Sequence, residues 1–149
     1  MIYYLDTSAL VKRYYTEKGS SWVHHLFRPE NVLVISKIAY AELLAALVRK
    51  RREEEVKEED FAQAVASFQR EWKELVVTEV TDAVFADLLS LVRRHPLRGF
   101  DAIHLCTPLW FRKRIKADVI FVCADHNLLA AAEEERFSVS NPEQQKERG

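Results

Sequence analysis

Glycine occurs only three times and proline four times in 149 residues. So few turn-formers leave no room for the many tightly connected strands of an all-β sandwich, and they favour helices joined by short loops. Cysteine occurs twice, as Cys106 and Cys123. The pair has no C-x-x-C spacing and no histidine at zinc-finger distance, which argues against a structural zinc site. A reduced pair in a cytoplasmic protein is the plainer expectation, although spacing alone leaves one disulfide open. Excess charge of either sign is absent: 22 Lys and Arg stand against 23 Asp and Glu, for a net charge of -1. A globally basic coat for nucleic acid is thereby excluded, and any such contact must use a local patch. No run of about 18 apolar residues occurs, so no membrane span is predicted. The start, Met-Ile-Tyr-Tyr-Leu-Asp, lacks the basic stretch of a signal peptide.

What is present is an ordinary globular composition, 48% hydrophobic and 30% charged, in a length that suits one domain. Ile2 to Leu5, Val32 to Ile35 and Asp118 to Cys123 contain short, continuous apolar runs rich in strand formers, and Leu75 to Val80 is a weaker one. Such runs fit strands buried on both faces. Between them lie helical patterns: Lys37 to Arg52 with Ile38, Ala41, Ala45 and Val48 in register, Phe61 to Trp72, a stretch marked by Val84, Leu88 and Leu91, Phe100 to Ile115, and Leu128 to Ala132. Alternating strand and helix predicts an α/β fold with a parallel sheet. Residues 1–139 are expected to form the domain, and 140–149, polar and without apolar period, a loose tail. The reversal of charge in RKRREEEVKEED, Arg49 to Asp60, predicts a turn between two helical arms.

In an open parallel sheet, ligands gather beyond the carboxyl ends of the strands. Asp6 directly follows the first apolar run, and Asp125 follows the third by one residue. Glu42 stands among apolar residues in IAYAELLAALV, where an unpaired carboxylate is costly. Asp101 opens DAIHLC, in the predicted first turn of its helix. On spacing alone, Asp6 and Asp125 also suit helix N-caps, Asp101 suits a dipole partner, and Glu42 suits a partner of a buried cation. Taken together, four carboxylates brought to one place repel one another, and oxygen ligands suit Mg²⁺ or Mn²⁺. Such an ion activates water and stabilises charge on a phosphoryl oxygen, which is machinery for phosphodiester hydrolysis. His104, three residues after Asp101, is expected to pack or hydrogen-bond in the core.

The succession LDTSAL (Leu5 to Leu10), AYAELLAAL (Ala39 to Leu47), GFDAIHLCTPL (Gly99 to Leu109) and FVCADHNLLAAA (Phe121 to Ala132) resembles the PIN-domain ribonucleases, specifically toxins of the VapC type. Each motif is short, but the four occur in order over nearly the whole chain. The resemblance implies a three-layer α/β/α fold with a mostly parallel sheet and a Mg²⁺- or Mn²⁺-dependent endoribonuclease. Asp6, Glu42, Asp101 and Asp125 fall on the family's acidic positions, with Asp6 and Asp101 as the most direct metal ligands. Ser8 matches the family's small hydroxyl residue, and Asn127 lies near the last acid. The family often has threonine where Cys123 stands, and alanine where Pro108 stands inside a helix. The resemblance also implies a homodimer, a cognate antitoxin, and RNA ends carrying 5′-phosphate and 3′-hydroxyl groups.

An acidic pocket needs cations nearby to hold RNA. Arg98 is the nearest in sequence to Asp101, and Lys12 and Arg13 follow the first motif; all three are expected RNA contacts. Tyr14, Tyr15 and Trp22 are candidates for base stacking. Two alternatives stay open here: a PIN nuclease of RNA processing rather than a toxin, and a non-catalytic PIN-like binding module. A haloacid-dehalogenase-type phosphatase needs a second acid two residues after Asp6, where Ser8 stands.

Overall fold

The computed structural model describes residues 1–146. In chain order the elements are β1 (Ile2–Leu5), α1 (Thr7–Leu10), α2 (Ser20–Leu26), β2 (Val32–Ser36), α3 (Ala39–Glu53), α4 (Glu58–Glu71), β3 (Val76–Thr78), α5 (Leu88–Arg94), α6 (Gly99–Ile115), β4 (Ile120–Val122), α7 (His126–Glu134) and β5 (Ser138–Ser140). The five strands form one sheet in the order β3-β2-β1-β4-β5. Every neighbouring pair is parallel, with Tyr4 of β1 opposite Val34 of β2 on one side and Phe121 of β4 on the other.

Alternation along each strand divides the interior into two cores, one on each face of the sheet. Tyr4, Val34, Phe121 and Cys123 point to the face covered by α5, α6 and α7, where they meet Leu91, Leu105, Leu109 and Leu128. Leu5, Leu33, Ile35 and Val122 point to the other face and meet Leu10, Val23, Leu43, Leu47 and Phe68. This is the three-layer α/β/α arrangement with a parallel sheet that the apolar runs imply. Among the described residues no helix is long and apolar enough to cross a membrane.

Two local expectations change, and two features add to the sequence reading. The tail is not loose from residue 140: β5 pairs with β4, and a 3-10 turn over Pro142–Gln144 follows with Pro142 and Asn141 buried; residues 147–149 of the expected tail lie outside the described residues. Helix α2, which no apolar period marks, is a short helix that buries Val23 and Leu26. Helix α3 buries Ala39, Leu43, Ala46 and Leu47, while Ala41 and Ala45 face outward, so its core stripe sits one residue beyond the expected one. Helix α6 runs through Pro108, which cannot donate to the His104 carbonyl one turn earlier. It is buried from Ala102 to Leu109 on nearly every side except at Ile103, and that packing offsets the missing bond.

Candidate functional site

The strand order reverses direction at β1, whose neighbours β2 and β4 come from distant parts of the chain. A crevice at the carboxyl ends of β1 and β4 follows from that topology. The register places Leu5 beside Val122, and the Asp6 N–H donates to the Val122 carbonyl at 3.1 Å. Asp6 and Cys123 are therefore the first residues past the paired segment.

Asp6 is 5% exposed, and three donors converge on its carboxylate. Ser8 Oγ reaches both oxygens, at 2.7 and 2.9 Å. The Ala9 N–H reaches Oδ1 at 3.0 Å, so Asp6 also caps α1. The Cys123 thiol reaches Oδ2 at 3.1 Å. Burial, then the charge of Asp6, push that thiol far up, so it stays protonated and able to donate. Its sulfur also accepts the Asp125 N–H at 3.2 Å, and Ser8 Oγ accepts the Ala124 N–H at 3.0 Å. Ser8 and Cys123 thus tie Asp6 to the loop that carries Asp125. Despite these donors, burial leaves the Asp6 carboxyl above its ordinary value.

Glu42, on the first turn of α3, is half-buried. Burial raises its carboxyl, but hydrogen bonds from His104 and Thr7 and the His104 charge outweigh it and hold Glu42 below its ordinary value. Thr7 Oγ1 donates to Oε1 at 2.7 Å, and His104 Nε2 lies 2.6 Å from the same oxygen. The buried partner of Glu42 is thus a histidine, not a lysine or arginine. Asp125 is exposed and caps α7 through Leu128 N–H at 2.9 Å. Asp101 sits in the first turn of α6. A pocket of about 270 Å³ is lined by Pro96, Leu97, Arg98, Asp101, Asp125 and Asn127. Asp6 and Glu42 do not line it; they stand behind it in their own networks.

The four acids nevertheless feel one another. The Asp101 carboxyl is raised first by burial and then by the charge of Asp125; Asp6 and Glu42 add smaller upward pushes against the downward pull of His104. Among the described residues no three Asp, Glu, His or Cys side chains form a ready-made metal-ligating group. The donor chemistry still fits a hard divalent cation: the ligands would all be carboxylate oxygens, and the repulsion raising Asp101 is what such a cation would relieve. The capping roles of Asp6 and Asp125 coexist with this arrangement. Thr7, His104 and, behind His104, Tyr4 belong to the same network. Residue spacing alone did not mark them, because their bonds join β1, α1, α3 and α6.

The expected basic contacts divide. Arg98 is exposed and lines the pocket beside Asp101. Lys12 must be corrected: it is buried, with Nζ 3.0 Å from Glu17 Oε1 and 2.9 Å from Glu143 Oε1, so it is not available to RNA. Arg13 is likewise engaged, donating to Glu71 at 3.1 Å and lying over the Phe27 ring. Tyr14 packs edge-on against Phe68, and Tyr15 carries Lys50 over its ring. These rings serve packing rather than a surface for bases.

Comparison with known proteins agrees with this fold. The PIN domain model matches residues 3–134. The ribonucleases VapC45 and VapC49 of Mycobacterium tuberculosis are each 36% identical over 106 residues, which is 71% of this chain and 74% of theirs. Among solved structures, VapBC2 of Rickettsia felis bound to a promoter DNA fragment superposes with a TM-score of 0.67 over 95% of this chain and 98% of that one, at 15% identity. VapBC-1 of nontypeable Haemophilus influenzae gives 0.63 over 95% and 98%, also at 15% identity. At such identities these two structures speak for the shared fold.

Proposed function

This chain belongs to the PIN-domain family, and we propose that it is a divalent-metal-dependent endoribonuclease acting as the toxin of a toxin–antitoxin pair. The names of its relatives support ribonuclease activity. The observation that carries the reading in this molecule is that Asp101 and Asp125 line one pocket at the strand-order reversal, where burial first, and then the charges of Asp125, Asp6 and Glu42, raise the Asp101 carboxyl. Asp6, Asp101, Glu42 and Asp125 would hold Mg²⁺ or Mn²⁺. When bound, the ion supplies a lowered pKa for an attacking water and neutralises charge on the phosphoryl group. Ser8 and Cys123 orient Asp6 by donating to its carboxylate, and Asn127 stands at the pocket wall beside Asp125. Arg98 supplies the positive charge that holds an RNA phosphate against a negative pocket.

A larger groove of about 890 Å³ lies among α2, α3 and α4, with Arg13, Tyr14, Leu47, Phe61, Ala64 and Arg70 in its wall. The Tyr14 hydroxyl, buried and without a hydrogen-bond partner among the described residues, offers a polar anchor there. This groove is the place for an antitoxin segment, and a homodimer is the expected assembly.

The reading is tested by incubating the purified chain with total RNA in Mn²⁺ or in EDTA and mapping the new ends. Cleavage in Mn²⁺ alone, leaving 5′-phosphates, is expected; cleavage undiminished by EDTA would remove the metal from the mechanism. Arg98→Ala should weaken binding of a single-stranded RNA and flatten its log-log salt dependence by roughly 0.7 per lost phosphate contact. Both are read by fluorescence anisotropy across a salt series, and melting temperature should not change, because Arg98 is exposed.

A further inference from the structure

A buried polar chain runs from the core to Glu42. The hydroxyl of Tyr4 lies 2.7 Å from His104 Nδ1, and His104 Nε2 lies 2.6 Å from Glu42 Oε1. Tyr4 is 0% exposed and His104 2% exposed, so water does not compete for either group. A bare ring nitrogen at that distance from a carboxylate oxygen would set lone pair against lone pair. Nε2 therefore carries a hydrogen and donates to Glu42. The other ring nitrogen has the Tyr4 hydroxyl as its partner. Nearby Thr107 donates its own hydrogen to the Ile103 carbonyl at 2.6 Å, so it does not donate to His104. Thr7 donates to the same Oε1 of Glu42. Among the described residues no hydrogen bond occupies Oε2, so that oxygen has no protein donor on it.

We propose that Tyr4 is a positioning residue for Glu42, acting through His104: the phenol fixes the imidazole so that Nε2–H pins one carboxylate oxygen and leaves the other to the metal. Outer partners of ligating carboxylates have this effect generally, and their loss costs about 10–100-fold in metal affinity or activity. The proposal rests on Glu42 being one of the acids that hold the ion. Tyr4 reaches it from the far side of the site: its ring is stacked on Phe121 at 5.5 Å between centroids, so removing only the hydroxyl keeps the packing.

The test uses Tyr4→Phe, Glu42→Gln and the double variant in the full chain. In metal-free protein, long-range ¹H–¹⁵N correlation of the histidine rings should show the two His104 nitrogens shifting in Tyr4→Phe, with the melting curve still cooperative. The Mn²⁺ dissociation constant should rise about tenfold in Tyr4→Phe. The kcat measured at limiting Mn²⁺ should fall, with KM for RNA unchanged. Tyr4→Phe should add no further loss of Mn²⁺ affinity in the Glu42→Gln background. An unaltered His104 ring spectrum, or losses that add in the double variant, would overturn the positioning role while leaving Glu42 as a ligand. Full Mn²⁺ affinity in Glu42→Gln alone would remove Glu42 from the site, and this inference with it.

Discussion

Asp101→Asn is expected to abolish RNA cleavage, by roughly 10²- to 10⁴-fold, and at the same time to make the metal-free protein melt at a higher temperature. The first effect follows if Asp101 holds the ion: several kcal/mol of transition-state stabilisation are lost, at 1.4 kcal/mol per tenfold in rate. The second follows from the raised carboxyl of Asp101, caused by burial, then Asp125, with smaller pushes from Asp6 and Glu42. An acid raised by folding contributes stability that is complete below its ordinary value near 3.8 and is lost as pH rises through the raised one. At neutral pH the ionised group is therefore a burden on the fold, and asparagine removes it. Mn²⁺ should raise the melting temperature of the unaltered protein and leave Asp101→Asn where it is. Asp6→Asn should also lose cleavage; burial raises the Asp6 carboxyl too, but the loss of matched donors outweighs that relief, and the melting temperature should fall. Its carboxylate accepts from Ser8, Ala9 and Cys123, and an amide nitrogen would confront one of those donors. Differential scanning fluorimetry beside a cleavage assay reads all of these; a lowered melting point in metal-free Asp101→Asn would contradict the repulsion on which the site is built.

Lys12→Met should cost about 3 kcal/mol of stability, a fall in melting temperature of roughly 6–12 °C for a chain of this size, with no change in RNA affinity. The ammonium, on a side chain only 3% exposed, is held between Glu17 and Glu143. Glu17 in turn binds Lys50 at 2.9 Å through its other oxygen. Methionine keeps most of the apolar stem but leaves Glu143 and one oxygen of Glu17 without the ammonium between them, with Lys50 remaining only on the other oxygen of Glu17. Burial raises the Glu17 carboxyl, yet hydrogen bonds from Lys50 and Lys12 and their charges hold it below its ordinary value. That contribution is present above about 4.5 and disappears as pH falls through the lowered value. Lys12→Met should therefore lose part of the acid sensitivity of unfolding as well. Urea titrations at pH 7 and pH 4 measure both effects, and an RNA-binding defect with unchanged stability would restore Lys12 to the substrate face.

These two residues also show what could be read before the fold was known. Asp6 was legible because a strand buried on both faces must be a continuous apolar run, and a charge at its end must lie at the sheet edge where ligands bind. The same logic located β2 and β4. Strand β5 escaped it, being three residues at the sheet margin with serine at both ends. Lys12 was misread because its partner Glu143 lies 131 positions away, and no local pattern announces such a pairing. His104 was placed correctly in the core, but its bond to Glu42 spans 62 positions and requires α3 and α6 to be set against β1. Residues whose role is set by one element's period were visible, and those whose role is set by the meeting of several were not.

The bond between Cys123 and Asp6 spans 117 positions and forms only where β4 joins β1. Loop-closure entropy opposes so distant a contact, and the pairing of β1 with β4 holds it closed. Were β4 detached from β1, Asp6 and Asp125 would part, and the acidic pocket with them. The acidic pocket is thus a product of the finished sheet rather than of any one segment of the chain.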